Sequence, residues 1–208
     1  MSKIVKKSAI IAVIAAIFLI AGFLVFIAYI SPPRDKIEEF NYPSEFFCVN
    51  AGNRIDYQTD GNCSAYASAY VLRHFGENAD GEELASEISR PFGFVPAISI
   101  AKTFNKRGYR AEACCGEIET LKARLAEGDP IIVFIRIRGD THYAVAVGYD
   151  EENIYLADSL KENSNVSAGS YNRVVKITEF EAIWRTGSFL PDNIYVIVNK
   201  SEVKTVAD

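Results

Sequence analysis

The feature that most constrains this chain is an uncharged run of 22 residues near its start, from Ala9 to Ile30. About 20 consecutive apolar residues, coiled as a helix, match the thickness of a bilayer core. The alternative is a cleaved signal peptide, whose apolar region is usually about 7–15 residues and ends in an A-x-A-like site. This run is longer, and its end (FIAYISPP) has no convincing cleavage site. We therefore expect an uncleaved transmembrane anchor.

The charges on either side of the run predict its orientation. Three lysines precede the run, whereas two cations and three acids follow it within residues 31–39. Because cations are enriched on the cytosolic side of a membrane span, we expect residues 1–30 to form a cytosolic tail and anchor. The rest of the chain would then lie outside the cytoplasmic membrane.

The remaining sequence has the length of one ordinary domain. We interpret residues 31–47 as a stalk and residues 48–208 as a domain large enough to bury a sizeable core. Without the three lysines that precede the span, 19 cations face 27 acids, a net charge of −8. That sign disfavours a nucleic-acid partner, because phosphates demand a basic face.

Helical patterns come first along the domain and strand patterns second. We predict a buried helix over Cys63–Phe75, because small and apolar residues lie on all its sides. Asn62 is its expected N-cap, after a turn at Asp60-Gly61. Further helices are predicted over residues 81–89, 96–106, 117–127 and 178–184, and strands over residues 130–137, 142–150, 153–158 and 193–198. This order predicts an α+β fold, with a helical lobe against an antiparallel sheet.

A single cysteine stands at the start of the predicted buried helix. Cys63 could be a core residue, half of a disulfide or a nucleophile, since a helix N-terminus or an adjacent imidazolium lowers the pKa of a thiol. If Cys63 is a nucleophile, Cys48 could form a disulfide with Cys114 or Cys115 outside the cytosol. Four cysteines are too few to indicate a disulfide scaffold.

The chain has two histidines that could assist a thiol. His74 lies at the other end of the same predicted helix, roughly 16 Å from Cys63 at about 1.5 Å per residue. We interpret His74 as a cation favoured at a helix C-terminus. His142 opens a predicted strand, just after the polar turn Arg138–Thr141. His142 is therefore the candidate partner of Cys63.

An acceptor that orients His142 is available at the end of the next predicted strand. Asp158 follows His142 by 16 residues. Side chains alternate between sheet faces, so a four-residue loop at 150–153 would place Asp158 opposite Val145, on the wrong face. A three-residue loop, or a bulge, would place Asp158 on the same face as His142. A Cys-His-Asp arrangement therefore predicts one of these two irregularities.

Gln58 is the candidate for stabilising negative charge on a substrate oxygen. It precedes Cys63 by five residues. Its side-chain amide could act together with the backbone N–H of Cys63, and such a donor is worth about 10²–10³ in rate. Taken alone, Gln58 would be interpreted as a turn residue.

These residues carry a resemblance to a known family. Gln58-x4-Cys63 at the head of a buried helix, followed by THYAVAVGYDEENIYLADS, is similar to the papain-like cysteine peptidases of the bacteriocin-processing type, family thirty-nine of the cysteine peptidases. The resemblance covers about residues 55–198. It implies a two-lobed papain-like fold, with Cys63 as nucleophile, His142 as general base and acid, Asp158 as its orienter and Gln58 in the oxyanion hole. We expect no cofactor and no metal.

The chain departs from the best-known members of that family in two respects. Asn62-Cys63-Ser64 replaces their Asp-Cys-Gly, and no Walker lysine loop of a fused exporter is present. We therefore expect a stand-alone, membrane-anchored cysteine endopeptidase acting on a peptide or protein, with any export machinery as a separate partner. One alternative is an inactive papain-like domain that docks peptides. The other is an acyl transferase or cell-wall amidase that uses the same Cys-His-Asp set.

Overall fold

The apolar run forms one long helix in the first of two compact units, Met1–Ser31. The computed structural model describes residues 3–37, 41–48, 52–59, 61–187 and 190–200. Helix α1 spans Lys3–Ile30, and its segment Ile10–Ile30 is long and apolar enough to cross a membrane. A signal sequence passes the same test of length and composition. The orientation of α1, its retention and the domain boundaries stay predictions.

The second unit, Pro32–Asp208, is built on one antiparallel sheet of seven strands. The strands are β1 (Phe46–Phe47), β2 (Arg110–Cys115), β3 (Ile131–Ile137), β4 (Asp140–Tyr149), β5 (Asn153–Ala157), β6 (Arg173–Lys176) and β7 (Ile194–Asn199). Their order is β2-β7-β3-β4-β5-β6, with β1 added against β4. The four strands predicted from sequence are confirmed, whereas β1, β2 and β6 were not predicted.

Helices cover both faces of this sheet. They are α2 (Cys63–His74), α3 (Gly81–Ala85), α4 (Ala97–Lys106), α5 (Ile118–Leu125) and α6 (Ile177–Trp184), with 3₁₀ turns at Pro91–Gly93 and Lys161–Asn163. One apolar core joins α2, α3 and α4 to the sheet, and a second joins α5 and α6 to the opposite face. The central strands are therefore buried on both sides, which explains their near-continuous apolar sequence. The α+β prediction is confirmed.

Helix α2 is buried along almost its whole length. Ten of its 12 residues, Ser64–Arg73, are buried, as its apolar surround predicted. Asn62 occupies the N-cap position of α2, as predicted, but its side chain makes no capping bond, and its Oδ1 instead accepts a hydrogen bond from Arg90. Asp60 lies outside the described residues, and Gly61 turns the chain before α2 with φ of +64°.

A tight hairpin turn between β3 and β4 places His142 near the start of β4. Ile137 pairs with Asp140, so the turn between β3 and β4 consists of Arg138 and Gly139 alone. Both have positive φ, 51° and 94°, which is the backbone form that matches the twist of a two-residue hairpin. His142 is the third residue of β4.

A β-bulge in β4 settles on which face Asp158 emerges. The register between β4 and β5 shifts at Val147, where β4 has one extra residue. Beyond the bulge, Val145 pairs with Ala157, so Asp158 comes opposite Ala144. Residues two apart on a strand share a face, so Asp158 emerges on the same side as His142. The structure thus contains the bulge, with the four-residue loop, that such an arrangement required.

The chain that follows α1 is bonded to the free edge of β2. Pro33 accepts a hydrogen bond from the Cys115 N–H at 2.9 Å, and the Asp35 N–H donates to Cys115 at 2.8 Å. The Asp35 carboxylate, only 5% exposed, accepts two hydrogen bonds from Arg124 and one from the Tyr195 hydroxyl. Residues 33–35 of the predicted stalk are therefore held in the fold by a buried ion pair.

Candidate active site

The Cys63 thiol lies at the first residue of α2, where it is half-buried. The N–H groups in the first turn of a helix have no acceptor within that helix, and the helix dipole adds positive potential there. Both effects favour an anion at this position.

The surroundings of Cys63 stabilise its thiolate form. Burial alone would raise the pKa of the thiol. Hydrogen bonding to His142 and the charge of that ring outweigh burial, and the backbone N–H groups of Tyr143 and Ser64 add to their effect. The pKa of Cys63 is therefore held below its ordinary value.

The other three cysteines are affected in the opposite direction. Burial raises the pKa of Cys48 and of Cys114 to about 12, and burial also raises the pKa of Cys115. All four cysteines are free thiols, so the disulfide considered for Cys48 is absent. Cys63 is the one whose surroundings favour a reactive anion.

His142 connects the thiol to a carboxylate. The residue is 3% exposed, and its Nε2 lies 2.7 Å from Asp158 Oδ1. This contact leaves Nδ1 as the ring nitrogen for the hydrogen bond with Cys63. Burial would lower the pKa of His142, but hydrogen bonds with Asp158 and Cys63, and their charges, raise that pKa to about 9.

The Asp158 carboxylate is completely buried, and each of its oxygens has two partners. Oδ1 bonds with His142 and accepts the Leu160 N–H at 2.9 Å. Oδ2 accepts hydrogen bonds from Asn163 and Arg173, both at 3.0 Å. Burial would raise the pKa of Asp158, but the bond and charge of His142, the Leu160 N–H and the charge of Arg173 hold it below its usual range.

A side-chain amide fixes the backbone on which Asp158 sits. Asn172 Oδ1 accepts the Asp158 N–H at 2.8 Å, and Asn172 Nδ2 donates to the Asp158 carbonyl at 2.8 Å. The Asn172 side chain thus binds both backbone groups of Asp158, the first residue after β5, much as a neighbouring strand would. Asn172 and Arg173 were not foreseen, because an Asn-Arg pair at the start of a short polar strand carries no distinguishing pattern.

Gln58 is held beside the thiol by the residue that follows Asp158. The Gln58 N–H donates to the Ser159 carbonyl at 2.9 Å, and the Ser159 hydroxyl donates to Gln58 Oε1 at 2.8 Å. The side-chain NH₂ group then remains for another acceptor. A cavity of ≈ 330 Å³ is lined by Gln58, Cys63 and His142 together. The structure thus brings all four predicted site residues together.

His74 lies elsewhere, as expected from its place at the other end of α2. Its Nε2 is 3.5 Å from Asp129 Oδ1. Within the described ranges, no group of three or more His, Cys, Asp or Glu side chains is placed to bind a metal ion.

A cysteine at the head of a buried helix, beside a His-Asp pair on an antiparallel sheet, defines a papain-like cysteine peptidase domain. The chain belongs to the Peptidase_C39 like family, whose family model matches residues 52–190. This membership confirms the resemblance drawn from the Gln-Cys and His-Asp segments.

Solved structures share this fold at low sequence identity. The peptidase domain of Streptococcus ComA, a bi-functional ABC transporter involved in a quorum sensing pathway, has a TM-score of 0.55 and 16% identity, covering 71% of this chain and 98% of that domain. A double glycine motif protease from an AMS/PCAT transporter, in complex with the leader peptide, has a TM-score of 0.54 and 18% identity, covering 73% and 94%. At such identities the likeness shows the fold alone.

One relative is similar to this protein over part of the chain. An uncharacterized protein of Methanothermobacter thermautotrophicus is 26% identical over 113 residues, which are 54% of this chain and 75% of the relative.

Proposed function

We propose that this protein is a cysteine endopeptidase that cleaves peptide bonds outside the cytoplasmic membrane. Cys63 is the nucleophile, His142 the general acid and base, Asp158 the group that orients His142, and Gln58 an oxyanion donor. The observation that carries the proposal is the bridging position of His142, whose Nε2 lies 2.7 Å from Asp158 while the ring also bonds with the Cys63 thiol. A nucleophile hydrogen-bonded to a base, which is in turn hydrogen-bonded to an orienting group, is the arrangement that activates a thiol.

The first half of the reaction breaks the peptide bond. The Cys63 thiolate attacks the scissile carbonyl carbon and forms a tetrahedral oxyanion. The protonated Nδ1 of His142 then gives its proton to the leaving amine as the carbon–nitrogen bond breaks. A thioester with Cys63 and a free amine result, and His142 is left neutral.

The second half releases the acid product. Neutral His142 takes a proton from water while the water oxygen attacks the thioester carbonyl. The carbon–sulfur bond breaks, the thiolate returns and His142 is again an imidazolium. The Asp158 carboxylate stabilises that cation in both halves without itself taking the proton.

Two donors are placed to stabilise the oxyanion in each half. One is the backbone N–H of Cys63, which the helix itself leaves without an acceptor. The other is the NH₂ group of Gln58, whose carbonyl oxygen is already occupied by Ser159. Each such donor is worth about 10²–10³ in rate.

A peptide or protein is the proposed substrate. A fold neighbour was solved with a leader peptide in place, and this precedent supports a peptide in the cavity beside Cys63. The three lysines that precede the apolar run Ala9–Ile30 support an orientation that puts the domain outside the membrane. Any export machinery would then be a separate partner.

The proposal predicts that one of four thiols reacts far below the ordinary thiol pKa. Full-length protein in detergent micelles is treated with iodoacetamide at about pH 6, where unperturbed thiols are almost fully protonated, and each cysteine is read by peptide mass spectrometry. We expect Cys63 to be modified first, since its pKa is lowered while burial raises those of the other three. Equal modification of Cys63 and half-buried Cys115 would contradict the proposal.

A cleavage assay then separates a peptidase from the alternatives. We expect the full-length protein to cut members of a peptide library, and Cys63→Ala to cut none. Binding of peptides without cleavage by the wild type would favour a docking domain. Transfer of the acyl group to an added amine in place of water would favour an acyl transferase.

The paired titration of Cys63 and His142 predicts a bell-shaped pH dependence of kcat/KM. The acidic limb follows protonation of the thiolate, whose pKa is lowered. The alkaline limb follows loss of the imidazolium, the proton donor to the leaving amine, and should fall near pH 9 because His142 has its pKa raised to about 9. Rates measured in overlapping buffers test this, and an alkaline limb near the ordinary histidine value of about 6.5 would contradict it.

A further inference from the structure

The buried Asp158 carboxylate has a second cationic partner besides His142. Arg173 Nη1 donates to Oδ2 at 3.0 Å, while His142 contacts Oδ1 at 2.7 Å. The side chains of Asp158 and Arg173 are 0% and 15% exposed, so water screens this pair little. The bond between Asp158 and His142 does not by itself account for an arginine on the other carboxylate oxygen, so the role of Arg173 needs its own explanation.

The two oxygens of Asp158 are held from opposite sides. Asn163 and Arg173 hold Oδ2, and this arrangement prevents the carboxylate from rotating away from His142. Asn172, which immediately precedes Arg173, holds the Asp158 backbone by two hydrogen bonds. The start of β6 therefore fixes both the main chain and the side chain of the residue that orients the histidine.

The charge of Arg173 has a second consequence for His142. An ionised carboxylate favours the protonated form of an adjacent histidine, and a nearby cation opposes that effect. The groups that act on His142 are Cys63 from α2 and Asp158 after β5, and Arg173 of β6 acts on Asp158. Arg173 thereby shares the negative charge that would otherwise bind the proton of His142 more tightly.

We infer that Arg173 is a positioning residue of the proposed active site, which aims the Asp158 carboxylate at His142 and partly neutralises its charge. This assignment rests on the proposed function. Through Arg173, the short edge strand β6 contributes to the proposed active site. In the reaction, Arg173 lets His142 release its proton to the leaving amine while remaining a strong enough base to take one from water.

Two variants that differ in charge test the assignment in full-length protein. Arg173→Gln keeps a hydrogen-bond donor but removes the charge, and Arg173→Lys keeps the charge. The pKa of His142 is read by imidazole NMR, with His74 as internal reference, and the pKa of Cys63 by the pH dependence of iodoacetamide modification. Removing a cation strengthens proton binding, so we expect Arg173→Gln to move both midpoints to higher pH. Modification of Cys63 at about pH 6 should slow by up to about tenfold, the effect of one pKa unit.

Arg173→Lys tests rescue by a cation, and Arg124→Gln is the matched control. Arg173→Lys should restore both midpoints to near their wild-type positions. Arg124→Gln removes another arginine from a buried carboxylate, that of Asp35, and should lower stability without moving either midpoint. Unchanged midpoints in Arg173→Gln, midpoints that move to lower pH, or an equal movement in Arg124→Gln would overturn the assignment.

The proposed function and this inference can fail separately. If wild-type Cys63 reacts no faster than Cys115 at about pH 6, the proposed peptidase fails whatever Arg173 does. If wild-type Cys63 is fast and Arg173→Gln leaves both midpoints in place, only the role of Arg173 fails.

Discussion

Replacement of His142 by alanine is expected to slow iodoacetamide modification of Cys63 at about pH 6, by about tenfold for each unit by which the thiol pKa rises, and to abolish peptide cleavage. Burial raises the pKa of Cys63, and the two largest effects that lower it both come from His142. Without the imidazole, burial should raise the pKa of the Cys63 thiol, as it raises those of Cys48 and Cys114. The leaving amine would also lose its proton donor.

The other histidine provides the matched control for this variant. His74→Ala changes the same residue type at the opposite end of α2, beside Asp129. We expect it to leave both the modification rate of Cys63 and peptide cleavage near their wild-type values. Equal losses in the two variants, or no loss in His142→Ala, would remove the basis for pairing His142 with Cys63.

Replacement of Asp158 by alanine is expected to lower the free energy of unfolding by about 3–5 kcal/mol, as when one member of a buried ion pair is deleted. The variant leaves the Arg173 cation in a largely buried site without its carboxylate, and leaves His142 and the Leu160 N–H without their hydrogen-bond partner. For a domain of this size the midpoint of thermal unfolding should fall by roughly 6–20 °C. Circular dichroism on heating measures it.

A second buried aspartate separates stability from function in this experiment. Asp35 is also paired with an arginine and is 5% exposed. Asp35→Ala should lower the unfolding midpoint comparably but leave modification of Cys63 unchanged in the folded protein, whereas Asp158→Ala should slow it. If the two variants slow modification alike, Asp158 contributes only stability, and its orienting role is wrong.

The parts of the site that sequence predicts depend on strong local patterns. The apolar surround of α2 identified a buried helix, and burial of Ser64–Arg73 confirms it. With two histidines in the chain, helix length alone separated His74 from Cys63 and left His142. The long strands β3, β4 and β5 were predicted because β-branched and aromatic residues dominate them.

The parts that sequence does not predict depend on contacts between distant segments. The bulge at Val147 changes the face of Asp158, yet no residue type marks it. Asn62 has the right residue type for an N-cap, but Arg90, 28 residues away, binds its side chain. Arg173 likewise acquires its place only once β6 pairs with β5. Each of these depends on tertiary structure, which outweighs local preference.

The bonds that tie residues 33–35 to β2 restrict how a soluble form of this protein can be released from α1. A protease that cuts before Pro33 leaves the bridge to Cys115 and the Asp35–Arg124 pair intact. Cutting after Asp35 instead frees that segment to dissociate, which removes the partners of the Cys115 N–H and carbonyl and leaves Arg124 and the Tyr195 hydroxyl without the Asp35 carboxylate. Deleting one member of a largely buried ion pair is destabilising, so shedding at such a site would yield a less stable domain.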